Sequence, residues 1–226
     1  MSRIARASLA TITILGLAGV VLRLSGYGAR LATALERWEV EHQHWFFDGP
    51  IGRAVARGYA PLVARLYAAY AQGLQLQPED EVLDVACGSG VFLAHHAKHA
   101  RRIAGLDQSR AMIDQARKEN RGRIADGTAE FALGDAAALP WDDETFTVVT
   151  SNDVSCYESK AAPAIREMYR VLRPGGRAVV SEDRRRLMEA AGFAHACERQ
   201  IAGMQLTIGY KAAYVPRHPA GRRADE

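Results

Sequence analysis

Three aspartates carry the chemistry that this sequence suggests most directly. Asp84, Asp107 and Asp135 each stand at or just past the end of a short apolar run: Glu81-Val82-Leu83-Asp84-Val85, Ile103-Ala104-Gly105-Leu106-Asp107 and Phe131-Ala132-Leu133-Gly134-Asp135. Such runs read as buried strands. The first is followed at once by Ala86-Cys87-Gly88-Ser89-Gly90 and then by a helical pattern over 91–99. Glycine tolerates φ > 0 and, lacking a Cβ, lets backbone approach a ligand. A glycine turn at the carboxyl end of a first strand is where open α/β sheets take nucleotide-like ligands. A carboxylate at the tip of the second strand suits a ribose, whose two hydroxyls it can accept.

The ligand is narrowed by charge. A dinucleotide fingerprint, G-x-G-x-x-G/A, requires a small third residue where this chain has Leu93. A pyrophosphate also disfavours a carboxylate such as Asp84 before the turn. S-adenosylmethionine has no phosphate, and its ammonium and sulfonium are attracted to carboxylates. Considered singly, Asp107 is equally a helix N-terminal acid, Asp135 a turn cap and Cys87 a small packed residue. Their placement on one sheet edge favours the binding reading.

On these residues the chain resembles the class I S-adenosylmethionine-dependent methyltransferases. Val82 to Gly90 match the family's first motif in the form found among ubiquinone/menaquinone C-methyltransferases and related small-molecule enzymes. Asp107 matches the ribose acid and Asp135 the residue that meets the adenine amino group. Arg166-Glu167-Met168-Tyr169-Arg170-Val171-Leu172-Arg173-Pro174-Gly175-Gly176 resembles the helix and turn before the fifth strand. The resemblance implies a Rossmann-like α/β fold, a seven-stranded sheet with helices on both faces and an antiparallel last strand. It implies S-adenosylmethionine as cofactor, held by Asp84, Ala86, Cys87, Gly88, Gly90, Asp107, Gln108, Met112, Asp135, Ala136 and Asn152. Methyl transfer needs alignment and exclusion of water, with a base only where the acceptor loses a proton. The segment after the fourth strand should border the methyl group, which makes Asn152, Asp153 and Tyr157 candidates to orient the acceptor; turn chemistry and packing are their plainer role.

The elements that must position these residues follow from the same pattern. Strands are expected near 81–86, 102–106, 129–133, 145–151, 177–182, 193–199 and 204–210, with Pro174 and Gly175 stopping the helix before the fifth. Four segments result: an apolar N-terminal segment 1–28, a helical cap 29–79, the methyltransferase domain 80–214 and a polar tail 215–226. Trp38, Trp45, Phe46, Phe47, Tyr59, Tyr67 and Tyr70 enrich the cap. Leu62, Leu66 and Tyr70, at i, i+4, i+8, read as a core stripe, and other faces suit a lid over the acceptor. Only Asp183-Arg184-Arg185-Arg186 separate Glu182 from the next helix, where many relatives insert a lid.

Length, 226 residues, allows one sizeable core, and 24% charged residues with a net charge of +3 demand no nucleic acid. Cys87, Cys156 and Cys197 form no C-x-x-C pair and fit reduced thiols in the cytoplasm. The histidine pairs His95/His99 and His42/His44 lack a completing carboxylate or cysteine at ligand spacing, so no metal is expected. The motif by which adenine exocyclic-amine methyltransferases hold a flipped base is missing, and so is the acidic pair of arginine methyltransferases.

Residues 7–22 contain no charge, with Arg3 and Arg6 before and Arg23 after. As a helix this run would span about 24 Å, against a bilayer core of roughly 30 Å. Attachment to the cytoplasmic face of a membrane, with snorkelling arginines, stands beside a buried or dispensable helix; Arg23 interrupts the cleavage region a secretory signal would need. The reading is methyl transfer to a small-molecule or lipid acceptor. The alternatives are a non-catalytic donor-binding partner subunit and an RNA methyltransferase.

Overall fold

The computed structural model describes residues 67, 68, 70–152, 158–201 and 204–213, with residues 158–160 as backbone only. The apolar run 7–22, most of the cap, the tail, Asp153, Cys156 and Tyr157 lie outside the described residues.

Seven strands form one sheet in the order β3-β2-β1-β4-β5-β7-β6. They are β1 (Glu81–Val85), β2 (Arg102–Asp107), β3 (Ala129–Leu133), β4 (Phe146–Ser151), β5 (Leu172–Ser181), β6 (Ala194–Ile201) and β7 (Met204–Tyr210). Strands β1 to β5 run parallel, and β7 pairs antiparallel with both β5 and β6. The helices are α1 (Val91–His96), α2 (Arg110–Glu119), α3 (Arg121–Ala125), α4 (Glu158–Val171) and α5 (Arg185–Ala191). After β3 the chain returns to lay β4 against the other side of β1. That reversal opens a crevice at the carboxyl ends of β1 and β4, where α/β sheets bind ligands.

Alternate residues of each central strand feed two cores. Val82, Ile103, Val148 and Val179 face α1, α2 and the helical residues 70–74, whose Tyr70 and Leu74 are fully buried. Leu83, Val85, Ala104, Val149 and Val180 face α4 and α5 through Ile165, Met168 and Met188. Burial on both faces explains why β1 and β4 lack the polar alternation of an exposed strand.

Several boundaries depart from the sequence reading; α5 begins at Arg185, so only Asp183-Arg184 separate it from Glu182. The first helix ends at His96, and α4 ends at Val171 rather than at Pro174 and Gly175. Leu172 already pairs with Phe146, so sheet pairing captures the chain before the Pro-Gly signal is reached. Pro174 and Gly175, the latter at φ 80°, instead form an irregularity inside β5 before Arg177 resumes the ladder opposite Val148.

Candidate functional site

The turn after β1 is built from alternating left-handed residues. Ala86, Gly88 and Gly90 have φ of 62°, 53° and 70°. The Cys87 amide donates to the Leu106 carbonyl at 3.0 Å, and the Gly90 amide to the Cys87 carbonyl at 3.0 Å. A Cβ on Gly90 would sit 2.8 Å from Ala116 Cβ and 2.9 Å from Asn120 Nδ2, so glycine is required for α1 to lie against α2. A Cβ on Gly88 would meet nothing within 4 Å. The turn is thus closed beneath Gly90 and open beside Gly88. Ala86 is the unexpected member: a left-handed alanine costs about 1–2 kcal/mol, and such strain concentrates at ligand sites.

Asp107 ties this turn to the second strand. Its Oδ2 accepts from the Gly88 amide and its Oδ1 from the Ser109 amide, each at 2.9 Å. Ser109 caps α2 by accepting from the Met112 amide at 3.3 Å. With Ser109 as its cap, α2 has no acid in its first turn, so Asp107 is not a helix-terminal acid but the residue that ties the glycine turn to the start of α2. Gln108 is half-buried beside it, and Met112 is buried on α2.

Asp135 is exposed after β3 and accepts from the Ala137 amide at 3.0 Å, so it does cap a turn; Ala136 is half-buried next to it. The Gly134 amide donates to the Asp107 carbonyl at 3.0 Å, which links the second and third turns. Cys87 is buried, and its sulfur fills the space that a Cβ on Gly105 would enter at 2.8 Å. Burial, with Asp107 and Asp84 close by, pushes its thiol well above the ordinary range. It is a packing residue and not a nucleophile.

Asp84 is the electrostatic outlier. It lies on β1 between Gly105 and Thr150 and is 4% exposed. Its Oδ1 has no hydrogen-bond partner among the described residues. Burial, and then the charge of Asp107, raise its pKa well above the usual carboxylate range. At the end of β4, Ser151 Oγ and Asn152 Oδ1 are likewise buried without partners, while the Asn152 carbonyl accepts from the Ser181 hydroxyl at 2.7 Å. Buried polar atoms are normally satisfied, so three orphans at one sheet edge mark a place where something polar binds. Among the described residues no group of His, Cys, Asp and Glu is gathered as a metal would need.

The sequence reading placed Tyr70 in a core stripe, and it is fully buried, but did not anticipate its pairing with Thr150. The Tyr70 hydroxyl lies 2.5 Å from Thr150 Oγ1 and donates to the Val179 carbonyl at 2.8 Å. No local signal announces a pairing between residues this far apart in the chain.

A family model described as a methyltransferase domain matches residues 83–180, from β1 through most of β5. These residues carry a methyltransferase domain, similar to the class I S-adenosylmethionine-dependent enzymes. Its cofactor is S-adenosylmethionine. The domain is 32% identical over 112 residues to demethylmenaquinone methyltransferase of Lactobacillus johnsonii, covering 48% of this chain and 46% of that protein. It is 31% identical over 103 residues to 24-methylenesterol C-methyltransferase 2 of Arabidopsis thaliana, covering 45% and 28%. In fold it is similar to a solved structure assigned to the S-adenosyl-L-methionine-dependent methyltransferases, from Methanococcus maripaludis, with TM-score 0.61, 17% identity and coverage of 76% and 96%. The chain spans under half the length of the curated relatives it matches.

Two features fit a cationic ligand: Asp84 Oδ1 is buried without a hydrogen-bond partner among the described residues, and a Cβ on Gly88 would meet nothing within 4 Å.

Proposed function

We propose that this protein transfers a methyl group from S-adenosylmethionine to a small or lipidic acceptor. The observation that carries the reading is Asp84, buried just before the glycine turn with no cation to neutralise it among the described residues. S-adenosylmethionine supplies an activated methyl on a sulfonium. Asp84 draws the donor's positive charge. Asp107 accepts from the ribose hydroxyls with its remaining lone pairs, and Asp135 with Ala136 borders the adenine. Ala86, Cys87, Gly88 and Gly90 present backbone to the donor, and Gln108 and Met112 flank it. Asn152 lies between donor and acceptor; with Asp153 and Tyr157 it aligns the acceptor. Alignment and dehydration are the main requirements of such a transfer.

The acceptor class rests on the relatives, which are named for quinone, sterol and acyl-carrier substrates. Among the described residues no helix is long and apolar enough to cross a membrane. The uncharged run 7–22 lies outside them, and we propose it as an interfacial attachment through which the enzyme meets a lipidic acceptor. The test uses the full chain. Calorimetry should show S-adenosylmethionine binding, and labelled donor should pass its methyl to a lipophilic acceptor in vesicles more readily than to a water-soluble analogue. Binding of NAD in place of S-adenosylmethionine overturns the donor assignment. Binding without turnover on any acceptor class favours a donor-binding subunit, and salt-dependent RNA binding with turnover favours an RNA methyltransferase.

A further inference from the structure

Asp84 has hydroxyls beside it, yet none satisfies it. Asp84 and Thr150 are register partners on β1 and β4. They point to the sheet face lined by Val82 and Val148, against which Tyr70 packs. Tyr70 and Thr150 are both fully buried. Their two hydroxyl protons are shared within a triangle whose Tyr70 oxygen also meets the Ser151 backbone: the hydroxyls lie 2.5 Å apart, and the Val179 carbonyl is 2.8 Å from Tyr70 and 3.1 Å from Thr150. Each hydroxyl has one proton to give. If Tyr70 donates to Val179, Thr150 donates to Tyr70; if Thr150 donates to Val179, Tyr70 donates to Thr150. In either arrangement neither proton is left for Asp84.

We infer that Tyr70 is a positioning residue for the donor site, because it holds the Thr150 hydroxyl away from Asp84 and so keeps that carboxylate unpaired for the donor's cation. This rests on the proposed role of Asp84 toward S-adenosylmethionine. Without the phenolic oxygen, Thr150 would choose between a neutral carbonyl and a neighbouring carboxylate. The charge-assisted bond is the stronger one, so Thr150 would turn to Asp84 and compete with the donor. Among the described residues, the other titratable groups facing Asp84 are Asp107 on β2, the Cys87 thiol in the turn and Tyr70 itself. None of them donates to it in the structure.

The experiment measures S-adenosylmethionine binding to the full chain by calorimetry from mildly acidic to neutral pH, for wild type, Tyr70→Phe, Thr150→Val and the double variant. In wild type, affinity should rise with pH as Asp84 ionises. Tyr70→Phe keeps the ring that packs edge-on against Phe92. It should weaken binding about tenfold and move the pH midpoint downward, since Asp84 gains a donor that stabilises its charge. Adding Thr150→Val removes the competitor and should return both affinity and midpoint toward wild type. A merely structural tyrosine predicts the reverse: the double variant would bind worse than either single one, with an unmoved midpoint. That outcome, or an unshifted Tyr70→Phe that folds normally by circular dichroism, overturns the inference. Failure of the wild type to bind S-adenosylmethionine would instead remove the donor assignment on which it rests.

Discussion

The two ends of β1 treat buried acids in opposite ways. At the amino end, Asp80 accepts from the Gln77 amide at 2.8 Å, the Thr147 hydroxyl at 2.7 Å and Arg177 Nη2 at 2.9 Å. Glu81 beside it is surrounded by Arg101, Arg102 and Arg173. Burial alone would raise the Asp80 pKa, but Gln77, Arg177 and Thr147 outweigh it and hold the carboxyl below its ordinary range. At the carboxyl end, Asp84 is more completely buried, has no cationic partner among the described residues and is pushed the other way. One end spends its carboxylates on holding the sheet together. The other leaves one unsatisfied, an arrangement that lowers stability unless a ligand completes it.

The sharpest way to break this comparison is to remove each acid. Asp80→Ala removes the shared acceptor of the Gln77 amide, the Thr147 hydroxyl and the half-buried Arg177, and should destabilise the protein by about 3 kcal/mol. Asp84→Asn leaves no ion unpaired and should unfold at the same or higher denaturant concentration than wild type while losing donor affinity. Equilibrium urea denaturation checks both; equal destabilisation by the two would erase the distinction between the ends.

A smaller effect sharpens it within the glycine turn. Gly90→Ala combines a left-handed alanine with a 2.8 Å clash against Ala116 and should cost about 2 kcal/mol. Gly88→Ala meets no neighbour, so it should cost only the backbone strain, about 1 kcal/mol, and act chiefly on donor binding. Thermal unfolding with and without S-adenosylmethionine separates the two effects. If Gly88→Ala is the more destabilising in the free protein, the turn is not open there.

The smallest expected effect is the pH dependence. Asp80 has a depressed native pKa, so its stabilisation is present above the unfolded value of about 3.9 and is lost as pH falls through the native one. Asp84 has a raised native pKa, so its contribution is complete below about 3.9 and is lost as pH rises through the native value. The stability gap between wild type and Asp80→Asn should therefore shrink toward acid. Relative to wild type, Asp84→Asn should gain stability from acid toward neutral pH. Each slope is at most about 1.4 kcal/mol per pH unit. Slopes of the same sign in a urea series across pH would contradict the opposed settings of the two acids.

Much of the edge was legible before any coordinates. Apolar runs closed by Asp84 and Asp107 became β1 and β2, and the segment 204–210 became the antiparallel β7. Gly88 and Gly90 marked a turn that does require positive φ. Less legible was how each acid is used. Asp107 commits both oxygens, and Asp135 one, to nearby amides, a choice that depends on the path of the turns. The end of α4 was misplaced because the pairing of Leu172 with Phe146 acts before the Pro-Gly pair.

Strand and turn positions are local matters: burial on both faces selects continuous apolar runs, and positive φ selects glycine. Sequence alone determined those, and with them the family. Whether a buried carboxylate is paired is not local. Asp80 meets Arg177 from β5, and Thr150 meets Tyr70 from a helix preceding β1. Only the packed sheet decides which donors reach which acceptors, because a hydrogen bond depends on separations of a few tenths of an ångström that no residue type specifies. It is that packing which leaves Asp84 alone.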